Sequence, residues 1–275
     1  MGLRVNTNVA SINAQRHLTK QQGRAEHALA ALASGERIVH ASDDAAGLSI
    51  SENIRSQVRG LRMARQNSFN SVSMIQIAEG GLMEINNIMV RIRELGVQAA
   101  SDNISDVERS FLNQESTQLL QEAQRISVTT RFGNQQLLDG TGGEFEFHVG
   151  AFGTENDKIK YELTADATGG ALGYDGIDLS QKEGARDALQ SVDDAIIKIG
   201  AMRADFGAVQ SRLETTTRNL DVQIENMEAA KSRIKDADVA FESSELASAQ
   251  ILQNAAVGTL VQANNTQAAA LKLFP

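Results

Sequence analysis

The only proline among the 275 residues is Pro275, so nothing upstream removes a backbone donor or forces a kink inside a helix. Against that background, apolar side chains recur every three or four positions from Asp43 to about Ala100: Ile54, Val58, Leu61, Val72, Ile75, Leu82, Ile85, Met89 and Ile92. This period marks one amphipathic helix over about 43–100. At about 1.5 Å per residue it makes a rod of roughly 80 Å. Ser42, Asp43 and Asp44 stand directly ahead of it and supply acceptors for the free N–H groups of its first turn. Capping accounts for the aspartate pair without an acid/base dyad.

A second helix is predicted over about 105–129, with Leu112, Leu119, Ala123 and Ile126 on one face and Phe111 and Leu120 beside it. The break SDNIS between the two is short, so they fold back as an antiparallel hairpin. The periodicity returns over about 181–234 with Leu189, Val192, Ile196, Ile199, Phe206, Leu213, Leu220, Ile224, Met227 and Ile234. Heptads in phase over that length demand a coiled-coil partner, and the long helix of the N-terminal half is the obvious one.

Between the helical halves the pattern changes. RFGNQQLLDGTGG ends the helical region in glycines, and over about 143–165 Phe145, Phe147 and Val149, then Ile159, Tyr161 and Leu163, alternate with polar residues about a Gly/Asn/Asp turn. Two or three short strands are predicted there, too few to stand without leaning on the helices. The glycines at 169, 170 and 173 read as a loop. The fold class is therefore mainly α: a long antiparallel helical coiled-coil rod with a small β-hairpin region, plus paired N- and C-terminal helices. The division expected is an N-terminal arm over 1–42, a rod over 43–234 and a C-terminal arm over 235–275.

The two arms share a composition that water does not favour and a bilayer excludes. Val5 to Gln15 holds no ionisable residue, and Leu246 to Leu271 holds none across 26 positions while carrying seven Asn or Gln. Amides in that number are costly in hydrocarbon, so no membrane insertion is expected. Val5, Val9, Ile12, Leu246, Leu252, Val257, Leu260 and Leu271 are too many apolar side chains for a tail left in solvent. Burial among copies of the same arm resolves the conflict, because amides can satisfy one another in a crowded interface whereas a charge repeated in every copy would face its like. These residues are the candidate self-assembly set.

Other chemistries are not signalled. A net charge of −9 argues against nucleic-acid or anionic-membrane binding, which need basic patches. Without cysteine there are no disulfides or thiolate metal sites. The four histidines, His17, His27, His40 and His148, lack the spacing of a helical metal site, and neither a nucleophile elbow nor a phosphate-binding loop occurs. No cofactor and no enzymatic activity are expected. MGLRVNTNVASINAQRHL lacks the apolar core of a secretory signal, so any route out of the cell is expected to use no cleaved signal peptide.

The runs SGERIVHASDDAAGLSISENIRSQVRGLRMARQN and SVSMIQIAEGGLMEINNIMVRIRELGVQAA resemble the N-terminal region of bacterial flagellin, and MGLRVNTNVASINAQRHL opens as flagellins open. SRIKDADVAFESSELASAQILQNAAVGTLVQANN is similar to the C-terminal region of that family. The resemblance covers roughly residues 1–140 and 185–274, at both ends and in the right order. It implies a structural subunit of the flagellar filament serving motility, in a minimal form without the variable outer domains, and with its terminal helices paired in an inner domain lining the filament channel. It also implies type III export to an extracellular flagellum and three kinds of partner besides further copies of itself: an export chaperone held near Leu246 to Phe274, hook-filament junction proteins and a cap protein. In flagellins recognised by Toll-like receptor 5, an Arg and a Leu of the R-x-R-E-L run and a Glu on the next helix matter; these positions match Arg91, Leu95 and Glu115. The chain departs from the family pattern at Val39, His40, Val90, Asn265, Thr266 and the Phe274-Pro275 end. A hook-filament junction protein, and a secreted ligand or enzyme carrying flagellin-like termini, are the alternative readings.

Overall fold

Side-chain caps decide where the helices of this computed structural model, which describes residues 7–271, begin and end. Asn8 accepts the N–H of Ser11 (3.0 Å) to open α1 (Val9–Ser34), and Gly35, at φ +71°, closes it by donating to the Ala31 carbonyl (2.8 Å). A left-handed residue at that place favours glycine. Asp44 accepts the Gly47 N–H (2.8 Å) at the start of α2 (Ala45–Ala99), whereas Asp43 serves the preceding link, accepting from the N–H groups of Val39 and His40 and lying 3.3 Å from His27. Ser105 and Glu108 form a capping box on α3 (Asp106–Thr129), satisfying two orphan donors at once. After the strands described below come α4 (Gly169–Leu172), α5 (Lys182–Lys235) and α6 (Val239–Leu271), the last opened by Asp238 accepting from Ala240 and Phe241.

The chain divides into two compact units, one comprising Val58–Glu225 and the other everything up to Gln57 together with everything from Asn226. In the Val58–Glu225 unit, α2 buries Leu61, Ala64, Ser68, Ser71, Ile75, Ala78, Leu82, Ile85, Met89, Ile92, Gly96 and Ala99, an unbroken alternation of steps of three and four. Facing it, α5 buries Ala185, Ala188, Val192, Ala195, Ile199, Phe206, Leu213, Leu220 and Ile224. The ion pairs Arg65–Asp221 (2.9 Å), Glu79–Arg203 (3.4 Å) and Arg93–Asp193 (2.6 Å) flank the seam and run antiparallel. Exposed pairs of this kind contribute little energy but favour one register. Gly96 lets the helices close up, since a Cβ there would stand 3.1 Å from Leu189 Cδ2. The expected pairing of the long helices thus holds.

The turn from α2 into α3 is fastened by Arg109, a nearly buried guanidinium that donates to the carbonyls of Ala99 and Ser101 (2.9 Å each) and to Asp106 (2.7 Å). It thereby satisfies acceptors left over where α2 stops. Ala123 is buried in the core, with Leu119, Leu120 and Ile126 packed against it, as the sequence pattern predicts, while Phe111 is exposed.

The β region is a hairpin of β3 (Gly143–His148) and β4 (Lys158–Leu163), with Phe147 opposite Ile159 and Phe145 opposite Tyr161. Phe147, Ile159 and Leu163 turn into the core, and the Tyr161 ring lies 6.1 Å from that of Phe206 on α5. The opposite face carries Glu146, Lys158 and Lys160, with Glu155 at the turn closing a four-charge network. A smaller hairpin, β1 (Arg131–Phe132) with β2 (Gln135–Gln136), precedes it; its two-residue strands are too short to show alternation in sequence.

The glycines at 169, 170 and 173, read as a loop, lie within residues 165–180, which form a packed strap that includes α4. The N–H of Gly169 donates to Gln124 and that of Leu179 to Asn113, both on α3 (2.8 and 2.9 Å). Leu172, Tyr174 and Leu179 are buried beneath it. Burial, then Asp175 and Asp166, push the Tyr174 phenol up to about 12, and it donates to the Ala167 carbonyl.

Two outcomes follow for stability. Ile85→Ala, in the middle of the seam, lowers unfolding free energy by about 2–5 kcal/mol, while Met63→Ala on the exposed face changes it by less than about 0.5 kcal/mol; chemical denaturation of each variant measures both. Lys158 and Lys160 hold Glu146 and Glu155 below the ordinary glutamate value of 4.5, and Lys182 holds Asp102 below 3.8. A depressed carboxylate stabilises the fold fully above its unfolded value and loses that contribution as pH falls through the folded one. Melting temperature should therefore be level from neutral pH to about 5 and then drop; a flat profile down to pH 3 would refute the account.

Candidate assembly interface

The other unit is built on α1 and α6, which run antiparallel. Asn8 Nδ2 donates to the Ala263 carbonyl (3.1 Å) at one end, and the Ala237 N–H donates to the Gly35 carbonyl (2.9 Å) at the other. Ser11, Ala14, Ala28 and Ala31 of α1 and Ala249 and Ala256 of α6 are buried. Small side chains at the contact bring the axes close. Leu18, Gln21 and Ala25 continue the inward row of α1, and Leu246, Gln253 and Leu260 that of α6.

This pairing divides the residues that the sequence singles out. Leu246 and Leu260 are half-buried in the row facing α1 and so join the two arms of one chain. Val9, Ile12, Leu252 and Val257 point away from it, as do Val261 and Ile251, all six between 46 and 68% exposed. Ile251 is absent from the expected set because uncharged composition identifies the segment but not the side of the helix that its neighbour covers. Val5 and the Leu271 side chain lie outside the described residues.

Between these aliphatic side chains the outer surface of α6 presents Gln250, Asn254, Gln262, Asn264 and Asn265. No charge interrupts it from Leu246 onward. A helix that covers one stripe against α1 and shows aliphatic residues elsewhere has more apolar surface than one partner can remove from water.

The three positions matched to receptor recognition sit differently. Arg91 donates to Glu115 on α3 through Nε and Nη2 (3.0 and 2.8 Å) and to Glu94 through Nη1 (3.0 Å). Glu115, then Glu94, raise the Arg91 guanidinium above its ordinary value. Both Arg91 and Glu115 are about half exposed. Leu95, at 1% exposure, packs with Ala99, Leu179, Ala185 and Ala188. This corrects its reading as a contact residue: its side chain faces the core, and it supports the surface that Arg91 and Glu115 present.

Among the described residues no three His, Asp or Glu side chains are grouped to hold a metal ion, and no helix is long and apolar enough to cross a membrane.

Comparison with known proteins accounts for both ends of the chain. Residues 5–142 match the bacterial flagellin N-terminal helical region and residues 189–274 the bacterial flagellin C-terminal helical region. A flagellin of Halalkalibacterium halodurans is 40% identical, covering 98% of this chain and 99% of its own length. A flagellin of Bacillus subtilis is 37% identical, over 99% of this chain and 100% of its own. The crystal structure of Bacillus cereus flagellin superposes on 60% of this chain and 94% of that one with a TM-score of 0.50 at 27% identity. A putative flagellar hook-associated protein from Vibrio parahaemolyticus shares the fold alone, at a TM-score of 0.60 and 12% identity over 70% of this chain and all of that one. Only residues 143–188 separate the two matched regions, and they are taken up by the hairpin, the strap and the start of α5. The chain belongs to the bacterial flagellin family and is a minimal member of it, without outer domains.

Proposed function

We infer that the chain is the structural subunit of a bacterial flagellar filament, polymerising with further copies of itself to serve motility. The carrying observation is α6: α1 covers one stripe of it, and Ile251, Leu252, Val257 and Val261 remain outside with only uncharged residues between them. Neighbouring copies supply the missing cover, since an aliphatic surface without charge meets its own replicas without repulsion. Relatives named as filament core proteins, such as the 30.7 kDa core protein of Treponema maltophilum, 36% identical over 96% of each chain, support the same reading.

Resemblance to the family supports the finer assignments. The arms over 1–42 and 235–275 form the inner, channel-lining domain, and 43–234 form the rod domain. The subunit is exported without a cleaved signal to an extracellular filament, guided by a chaperone on the C-terminal arm, and meets hook-filament junction proteins and a cap protein. It acts mechanically and not as an enzyme. Arg91 and Glu115 offer Toll-like receptor 5 a charged, half-exposed pair, with Leu95 beneath it.

Removal of Leu246 to Pro275 should leave the Val58–Glu225 unit folded, with its helical circular dichroism and melting retained, yet abolish seeded polymerisation seen by electron microscopy. Normal filaments from the truncated chain would overturn the role of the arm. Arg91→Ala should weaken binding to the receptor ectodomain by at least about fivefold, the loss of roughly one kcal/mol that a charge-assisted hydrogen bond supplies. Unchanged binding would remove the receptor from the partners.

A further inference from the structure

The link between α1 and α2 and the link between α5 and α6 run side by side. The Ala237 N–H donates to the Gly35 carbonyl (2.9 Å) and the Arg37 N–H to the Lys235 carbonyl (2.7 Å), while Arg37 Nη2 donates to the Ile234 carbonyl (2.6 Å). Glu36 and Asp236 face one another as an antiparallel bridge. Into this ribbon the Lys235 side chain, only 11% exposed, brings an ammonium 3.1 Å from the Glu36 carboxylate and 3.5 Å from that of Glu52 on α2. Glu52 is shared with Arg55 at 3.0 Å.

Lys235 is badly placed if stability were its only purpose. An ammonium withdrawn from water loses most of what its partners return, and an apolar side chain of similar size would often do as well. What such a group supplies is register, because it is tolerable in one arrangement of its carboxylates and costly in others. The three charges belong to three elements: the link leaving α1, an early turn of α2 and the last residue of α5. Together they decide how the two links lie against each other, and α1 and α6 both start from those links.

We propose that Lys235, Glu36 and Glu52 form an ionic clasp that positions the α1/α6 pair for assembly, locking the two links in the register from which the outward aliphatic face meets the next copy. Lys235 is a positioning residue that acts through the two links of its own chain. The proposal rests on the filament reading above and adds to it a requirement inside each copy.

Charge reversal tests it on the full-length chain. Lys235→Glu sets three carboxylates together, and Glu36→Lys sets two ammonium groups together. The double variant Glu36→Lys/Lys235→Glu restores one cation and two anions with the polarity exchanged, and Lys235→Arg keeps it. The critical concentration for seeded polymerisation is read alongside far-ultraviolet circular dichroism of the monomers. Each single reversal should raise the critical concentration by about tenfold or more, the consequence of about 1.4 kcal/mol, with helicity retained. The double variant and Lys235→Arg should return to within about twofold of the parent.

Single reversals that polymerise as the parent does would overturn the clasp. So would a double variant that fails to recover, or single reversals that lose helicity together with assembly, which would make the charges part of the fold alone. A parent chain that forms no filaments would remove the filament reading and the clasp with it, whereas filaments from parent and reversed chains alike would remove the clasp only.

Discussion

A two-helix seam can bury only one stripe of each helix, and the Val58–Glu225 unit is arranged around that limit. The α2 stripe is graded along its length, with bulky Ile75, Leu82, Ile85, Met89 and Ile92 in the middle and Gly96 and Ala99 at one end. Where it is bulky, α3, the β3–β4 hairpin and the strap cover what α5 leaves open, which is why Ala123, Phe147, Leu163, Leu172 and Tyr174 share a core with it. Where it is small, α5 approaches with Ala185 and Ala188, and Leu95 and Leu179 fill the side of the gap. Serine enters the stripe at 68 and 71 without an orphaned hydroxyl, since each donates to the carbonyl four residues back.

On α5 the alternation slips once. Phe206, Val209, Leu213, Thr217, Leu220 and Ile224 turn inward with steps of three, four, four, three and four. Four residues from Leu213 to Thr217, after four from Val209, constitute a stutter, which locally unwinds a left-handed supercoil. Thr217 suits the place because its hydroxyl donates to the Leu213 carbonyl (2.9 Å) and leaves its methyl to the seam.

Period made the long helices legible in the sequence: α2, α3 and α5 lie within a few residues of their expected limits, and of the two aspartates ahead of α2 Asp44 caps it while Asp43 holds the preceding link. What stayed hidden depends on contacts between residues far apart in the chain. The strap looks like loop because its glycines and aspartates dominate a local window, whereas its order comes from Gln124 and Asn113 on another helix. The β1–β2 hairpin has too few residues to alternate. Leu95 belongs to a motif whose spacing is visible, but burial is a property of what α5 and the strap lay across it. In the arms, composition exposed the conflict between apolar content and missing charge; only the path of α1 decides that Leu246 and Leu260 face inward and Ile251 and Leu252 outward.

Charge is distributed in the α1/α6 unit as repetition in a polymer requires. A group repeated in every copy meets its own replicas at a fixed spacing, so an uncompensated charge on a shared surface is multiplied, whereas a set that cancels within one copy repeats without that cost. Glu36 and Glu52 with Lys235 and Arg55 form such a set, two anions and two cations held within hydrogen-bonding or ion-pair distance. Beyond Glu245 the sequence of α6 contains no charged residue. These four charges hold one chain's own links together, and the uncharged surface belongs to α6, which carries none of them.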